Sequence, residues 1–389
     1  MDLIKELLSM TEEVETPASF IRYAGYCAIS AILKRNVWLD KFAYKLYPNI
    51  YVLLIADSGK AKGFSNVIAS RLVDSVGNTR LISGRNSIQG ILKELSTATT
   101  SSNGGPPTLE STCFLNSGEF VNFLISDPQS ISILTELYDS NYITKYTSTF
   151  RSTGKETLKD PYVVLLGSSN ETLLRDALPD SATEGGFIAR TILVKEEKKR
   201  TINPLTRAPL KKIDTLSLTP YLKEIAKLRG EFLWTSAARD FYEKWYRDFA
   251  TRDFSDRTGS SNRLHDTLLK MSIIVSVSKR LDQKLELSDL QEAYDELIIT
   301  KSKEKGIFLG PSVKTDWALK TKSVLKFIVD KEKISRLRIL QHLYGIVNAE
   351  DLDKIVENLT QVKYITTSKE DKEVFYEITD TVKEKLKGE

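Results

Sequence analysis

The chain has 389 residues, 41% hydrophobic and 28% charged, with a formal net charge of +4. That length suits two to three domains, and the composition excludes both a disordered chain and a membrane-embedded one. No apolar run approaches the roughly 20 residues that a membrane-spanning helix needs, and the mild positive charge permits nucleic-acid binding without requiring it.

The N-terminus, opening Met1-Asp2-Leu3-Ile4-Lys5-Glu6, is charged and amphipathic and lacks the apolar core of a signal peptide. Cys27 and Cys113 sit in apolar runs, where a buried free thiol is the ordinary reading. Neither they nor His265 and His342 form a short-spaced cluster, so no metal site is predicted from them. A reducing, cytoplasmic compartment fits.

Residues 1–40 read as helices. Thr16 and Pro17 have the pattern of a cap and a first-turn proline. Phe20, Ala24, Cys27, Ala28, Ala31 and Ile32 follow three or four apart, along one face. Val37, Trp38 and Leu39 begin an extended stretch. The run from Pro48 to Ile55 is continuously apolar and rich in β-formers, which predicts a buried strand of a parallel sheet. The loop Ala56–Gly63 and a helix over Phe64–Val76 follow. Further strands are predicted at Arg80–Ser83, Thr112–Leu115, Tyr162–Leu166 and Thr191–Val194, with helices at Ser87–Leu95 and Ser130–Tyr138 between them. The alternation predicts an α/β fold, a mostly parallel sheet flanked by helices. Residues 96–110, rich in Ser, Thr, Gly and Pro, read as a mobile surface loop. Residues 195–216 read as a basic linker, and residues 217–305 as helices carrying Trp234, Phe241, Trp245 and Tyr246.

The loop after the first buried strand carries the chemistry. A P-loop needs backbone amides turned into a tight loop, a lysine on the β- and γ-phosphates, and a Ser or Thr on magnesium. Against G-x-x-x-x-G-K-[ST], Ala56 and Ala61 stand for glycines, Lys62 is the lysine, and Gly63 replaces the hydroxyl residue. The motif departs at those positions, but a buried strand precedes it, a helix follows it, and Ser58 and Gly59 supply a turn. Ser58, Gly59, Lys60, Ala61, Lys62 and Gly63 are therefore the candidate ATP-binding residues. Ser65 lies too far along to replace the missing hydroxyl simply.

ATPases of this kind place carboxylates at the end of a neighbouring strand, where they organise magnesium and activate water. The strand Thr112–Leu115 leads to Asn116, Ser117, Gly118 and Glu119. Glu119 is the candidate general base, and Gly118 stands where the magnesium-organising Asp would be. The next strand leads to Gly167-Ser168-Ser169-Asn170, where Asn170 suits reading of the γ-phosphate and the attacking water. Arg190 enters the final strand and suits an arginine finger aimed at a neighbouring subunit. Singly, each has a plainer reading as a solvated surface residue; their order gives them weight.

Taken together and in this order, Phe20, Arg35-Asn36-Val37-Trp38-Leu39, Tyr47-Pro48-Asn49-Ile50-Tyr51, the loop 56–63, Asn116–Glu119, Leu137-Tyr138-Asp139, Gly167–Asn170 and Gly185-Gly186-Phe187-Ile188-Ala189-Arg190 resemble a helicase-like, primase-associated family of P-loop ATPases found in phages and mobile elements. The resemblance covers roughly residues 15–300. It implies ATP and Mg2+ as cofactors, a ring-forming homo-oligomer such as a hexamer, single-stranded or forked DNA as substrate, and a primase or other replication protein as partner. The departures at Ala56, Ala61, Gly63 and Gly118 weaken the expectation of efficient hydrolysis. The segment Ser261–Lys270 is also similar to ring ATPases, which makes Arg263 a candidate nucleotide contact; His265 reads as a packing residue.

Two segments bear on nucleic acid. Residues 141–160 read as a β-hairpin with Lys145, Tyr146, Phe150, Arg151, Lys155 and Lys159 exposed, cations beside aromatics as a single strand requires. At the C-terminus, helices near Leu319–Val329, Leu337–Tyr344 and Ala349–Leu359 precede two strands, Tyr364–Thr366 and Val374–Ile378, and this resembles a winged helix. Its third helix is acidic, so protein contact, or DNA contact through Arg336, Arg338, Lys363, Lys369 and Lys372, is as plausible as groove readout. The expected organisation is 1–45 N-terminal helices, 46–200 a P-loop NTPase core, 201–312 a helical lid-like region and 313–389 a winged helix. The expected function is an ATP-dependent ring-forming DNA helicase or translocase. The alternative is a weakly hydrolysing replication loader or DNA-binding assembly factor. A small-molecule kinase has no use for the winged helix and is disfavoured.

Overall fold

The computed structural model describes residues 1–84, 86–97, 110–122, 129–139, 145–150, 154–178, 186–203, 213–252, 259–304, 316–370 and 373–379. The chain divides into two compact units, Met1–Leu309 and Gly310–Glu389.

The first half of unit one runs α1 (Leu3–Met10), α2 (Ala18–Leu33), β1 (Val37–Asp40), β2 (Lys45–Leu46), β3 (Tyr51–Ile55), α3 (Lys62–Val76), β4 (Arg80–Ser83), α4 (Ile88–Leu95) and β5 (Thr112–Ser117). Then come α5 (Ser130–Tyr138), β6 (Lys145–Phe150), β7 (Gly154–Lys159), β8 (Tyr162–Ser169), α6 (Glu171–Ala177) and β9 (Thr191–Lys195). The rest is α7 (Thr219–Ile225), β10 (Gly230–Glu231), β11 (Leu233–Trp234), α8 (Ser236–Ala250), α9 (Leu264–Lys279), β12 (Lys284–Leu285) and α10 (Leu287–Glu304).

The central sheet has five strands, all parallel, in the order β4-β5-β8-β3-β9. Side chains alternate across a strand, and here both sides are covered. Val52, Leu54, Val164, Leu166, Ile192 and Val194 join one core with α2, α3 and α9. Tyr51, Leu53, Ile55, Cys113, Leu115, Val163 and Leu193 join the other with α4 and α5. Burial on both faces is why β3 reads as an unbroken apolar run. The first core also takes in α1, α7 and α10, so the boundaries expected near residues 45 and 200 fall inside one compact unit.

Several local expectations change. Helix α2 is not one-sided: every residue from Phe20 to Leu33 except Arg22 is buried, because the positions between its expected stripe are apolar too. Thr16 does not cap it. Pro17 holds the cap position without a side-chain bond, and the Thr16 hydroxyl donates to the Ala61 carbonyl, 2.9 Å away. Strands β5 and β8 run on to Ser117 and Ser169, past the expected Leu115 and Leu166. The start of the expected linker is pinned to the α1–α2 connection: Lys199 Nζ lies 2.6 Å from Glu15, and the Arg200 amide donates to the Glu15 carbonyl at 2.9 Å. Residues 204–212, and residues 98–109 of the expected surface loop, lie outside the described residues.

Unit two holds α11 (Asp316–Lys331), β13 (Lys333–Ser335), α12 (Arg336–His342), α13 (Ala349–Gln361), β14 (Ile365–Glu370) and β15 (Glu373–Ile378). Its sheet is antiparallel, ordered β13-β15-β14, one strand more than the expected pair. Val324, Ile328, Ile339, Leu352, Ile355, Ile365 and Tyr376 form its own core.

Gly167 on β8 is a packing glycine. A Cβ there would lie 2.5 Å from Leu53 Cδ2 and 3.0 Å from Phe120 Cβ, both in the core. Gly167→Ala is expected to cost about 1–3 kcal/mol by overpacking, read as a lower urea midpoint at unchanged slope.

Candidate functional site

Chain direction builds the cleft. At Ile55 the chain leaves β3 and must begin α3 on one face of the sheet. It does so through two left-handed residues, Gly59 (φ +80°) and Ala61 (φ +57°). Glycine adopts this conformation freely, whereas alanine loses about 1 kcal/mol in it. The bond from Thr16 to the Ala61 carbonyl holds the alanine in place from a distant part of the chain. The Ala56 amide donates to the Ser169 carbonyl at 3.2 Å and ties the loop's start to β8.

Strand β8 leaves in the opposite direction. It passes through Asn170 into α6, whose Leu174 packs in the second core. Adjacent parallel strands whose exits diverge open a crevice at their carboxyl ends. A cleft of about 460 Å³ lies there, lined by the loop Ser58–Gly63, by Gly118, Glu119 and Asn122 after β5, and by Ser168–Asn170 from β8.

Lys62 folds back over its loop. Its ammonium donates to the Ala56 carbonyl and, at 3.0 Å, to that of Asp57. Partial burial lowers its pKa. Glu119 is exposed on the rim, accepting from Asn122 Nδ2 at 2.7 Å. Asn170 caps α6, its Oδ1 accepting from the Leu173 amide at 2.7 Å. Lys62, Glu119 and Asn170 thus come from three strand ends to one cleft. Ser65 is fully buried, its hydroxyl has no hydrogen-bond partner among the described residues, and it does not line the cleft.

Beneath the loop lies a network that the residue pattern alone does not reveal. Asn66 Nδ2 donates to Asn116 Oδ1 at 2.5 Å, and Asn116 Nδ2 donates to the Asn66 carbonyl and to Ser70 Oγ, both at 2.7 Å. Ser168 Oγ donates to Asn66 Oδ1 at 2.7 Å. Asn66, Asn116 and Ser168 are all buried. For Asn116 and Ser168, polar residues that directly continue apolar strands, that continuation was the available signal.

Arg190 and Arg263 lie elsewhere. Arg190 directly precedes β9, whose first residue pairs with the first residue of β3, so it sits at the end of the sheet opposite the cleft. Its Nε donates to Asp139 Oδ1 at 3.2 Å and its Nη1 to the Gly186 carbonyl at 2.9 Å. Arg263 Nη1 lies 3.6 Å from the same Asp139 oxygen. Glu184 and Gly185 lie outside the described residues.

Lys270 is close by and 1% exposed. Its ammonium donates to Asn49 Oδ1 at 2.9 Å and sits 3.7 Å from the Tyr138 ring centre. Burial lowers its pKa to about 7 against the pull of Asp266 and Asp139. Burial raises the pKa of Asp266, but Lys41 and His265 outweigh it and hold the carboxyl below its usual range. His265 packs against Tyr246 and Phe249, ring centres 5.5 and 5.8 Å away.

The hairpin β6–β7 forms, and its register separates the expected interface. Lys145 pairs with Lys159 and Thr149 with Lys155, which puts the three lysines on one face, all exposed. Tyr146 pairs with Leu158 on the other face; Leu158 is fully buried and Tyr146 packs on the second core. Arg151 and the side chain of Phe150 lie outside the described residues. In unit two, Arg336 is held by Asp353 in two bonds of 3.0 and 2.9 Å. Arg338, Lys363 and Lys369 are exposed, and Lys372 lies outside the described residues.

No protein-family model matches the sequence, and no curated protein matches it.

Lys270 makes folding sensitive to pH. Its folded pKa of about 7 lies below the unfolded value of about 10.4. Between the two, the unfolded chain carries a proton that the folded chain has released, so this group's contribution to stability rises with pH. The raised pKa values of Cys27 and Cys113 act oppositely once unfolded thiols ionise. Comparison with Lys270→Met cancels them. The urea-unfolding free energy of wild type should gain on that variant by up to about 1.4 kcal/mol per pH unit from about pH 7 to 8.5; a difference independent of pH would refute it.

Proposed function

We propose that unit one is a P-loop NTPase core that binds ATP in the cleft at Ala56–Gly63. The observation that carries this reading is the arrival of Lys62, Glu119 and Asn170, from three strand ends, at one cleft on the switch point of a parallel sheet. Phosphate oxygens would take over Lys62 from the Ala56 and Asp57 carbonyls. The N-terminal amides of α3, which no side chain caps, add fixed partial positive charge. Glu119 on the rim is the base or water-orienting group, and Asn170 faces the terminal phosphate from β8.

We further propose that the chain acts on DNA as a ring-forming helicase or translocase in replication of a phage or mobile element. Three supports are in hand: the sequence resemblance, the lysine face of β6–β7, and the winged-helix reading of unit two. That reading rests on three helices around an antiparallel sheet, with Arg338, Lys363 and Lys369 exposed for DNA or for a partner protein such as a primase. Arg190 and Arg263, at the far end of the sheet from their own cleft, would serve a neighbouring subunit only by leaving Asp139. A second reading, a nucleotide-dependent loader that turns over slowly, is favoured by Gly63 and Gly118, which offer magnesium no side chain.

The test is DNA-stimulated ATP hydrolysis. Lys62→Ala should abolish nucleotide binding, and Glu119→Gln should lower turnover on the order of a hundredfold with binding retained. Turnover absent in the wild type, with DNA binding intact, would leave the loader reading. For the DNA face, replacing Lys145, Lys155 and Lys159 with Ala should weaken single-strand binding and flatten log K against log salt by about 2, at about 0.7 per phosphate contact. An unchanged slope would remove β6–β7 from the interface.

A further inference from the structure

The magnesium that a P-loop implies fits this cleft poorly. Its usual protein donors are a hydroxyl on the residue after the lysine and a carboxylate at the neighbouring strand end. Here the first position is Gly63, and Gly118 follows β5. The end of β5 itself brings Asn116, a neutral amide whose oxygen accepts from Asn66 and whose NH2 is spent on the Asn66 carbonyl and Ser70. Ser168 donates its hydroxyl hydrogen to Asn66 and is 1% exposed, so its oxygen is turned into the floor rather than offered to a bound ion. Among the described residues, no group of three or more His, Cys, Asp or Glu could hold a metal ion.

The two glycines are not demanded by the fold. A Cβ added at Gly63 or at Gly118 would meet nothing within 4 Å, and neither residue has a positive φ. Serine or aspartate would fit, and a glycine in the first turn of α3 sacrifices helix stability relative to almost any other residue. What the cleft does provide against phosphate charge is Lys60, Lys62 and the amides of α3, with Glu119 the carboxylate among its lining residues.

We infer that this cleft takes the triphosphate of a nucleotide without a protein-held magnesium ion, the charge being met by Lys60, Lys62 and backbone amides, so that affinity is indifferent to the metal. The inference rests on the nucleotide reading above and deepens it. Restoring the hydroxyl with Gly63→Ser should create the missing dependence, because the new side chain enters open space beside the lysine.

The experiment titrates the full chain with a fluorescent ATP analogue, once in millimolar Mg2+ and once in EDTA. The wild-type Kd should agree between the two within about threefold, whereas Gly63→Ser should bind about tenfold tighter in Mg2+ than in EDTA. Circular dichroism verifies that each variant is folded. A wild-type chain that loses about tenfold or more in EDTA overturns the inference; if Glu119→Gln removes that loss, Glu119 is the ligand. A folded Gly63→Ser chain still indifferent to the metal overturns the assignment of position 63 as the missing ligand. No binding by the folded wild type in either buffer overturns the nucleotide reading itself.

Discussion

The hydrogen bonds among Asn66, Asn116, Ser70 and Ser168 join three elements that the chain reaches at widely separated points: α3, β5 and β8. A buried amide left unpaired costs about 1–3 kcal/mol, so each of these groups needs the others. Their mutual satisfaction fixes how far α3 slides along the sheet, and with it where the loop at Ala56–Gly63 and the rim at Glu119 stand. It also fixes the electrostatics. A carboxylate at position 116 would be a buried charge facing the Asn66 amide and the Ser70 hydroxyl, and burying an unpaired charge is far more expensive than burying a satisfied amide. The interaction that shapes the cleft is the one that keeps its floor neutral.

The other end of the sheet is built on the opposite plan. Asp139 accepts from Arg190 and stands near Arg263, Asp266 from Lys41, and Lys270 lies buried against Tyr138 and Asn49. Removing one member of such a cluster strands the rest, which is costlier than the pair is favourable. The arginines are therefore not idle surface cations. Any partner that recruits them must offer an anion good enough to replace Asp139, and a phosphate is such an anion.

The sequence pattern reports the fold where burial is two-sided and continuous. Tyr51–Ile55 and the helix Ser130–Tyr138 stand at or within their expected limits. It falters where polar residues are buried. Asn116 and Ser168 look like loop because their side-chain partners lie 46 to 102 residues away, and only those partners make strand the better state. Thr16 looks like a helix cap because a Thr-Pro pair is read locally, while its real partner is Ala61. In β6–β7 the composition is legible but the parity is not. Lys145 and Tyr146 are neighbours in sequence, and a strand sends neighbours to opposite faces. At the cleft, Lys62, Glu119 and Asn170 were legible from order alone. Asn66 was not, since one asparagine within a helix carries no local mark of what it faces.

Ala61 joins these threads. A left-handed alanine gives up about 1 kcal/mol that glycine would keep, and a part-buried hydrogen bond of the kind Thr16 makes contributes about the same. The loop's shape is therefore not a property of the loop's own residues. It is imposed by the segment that leads into α2, and α1 and α2 share one core with β3 and α3. Strain of this sort persists only where the surroundings over-determine the backbone, and such places concentrate at functional sites. A loop that served merely to turn a strand into a helix could relax to an ordinary conformation; this one is held from outside, with the uncapped start of α3 lining the cleft. The N-terminal helices thereby become part of the site's support, and a change in how they pack would be felt first at Ala61 and Lys62.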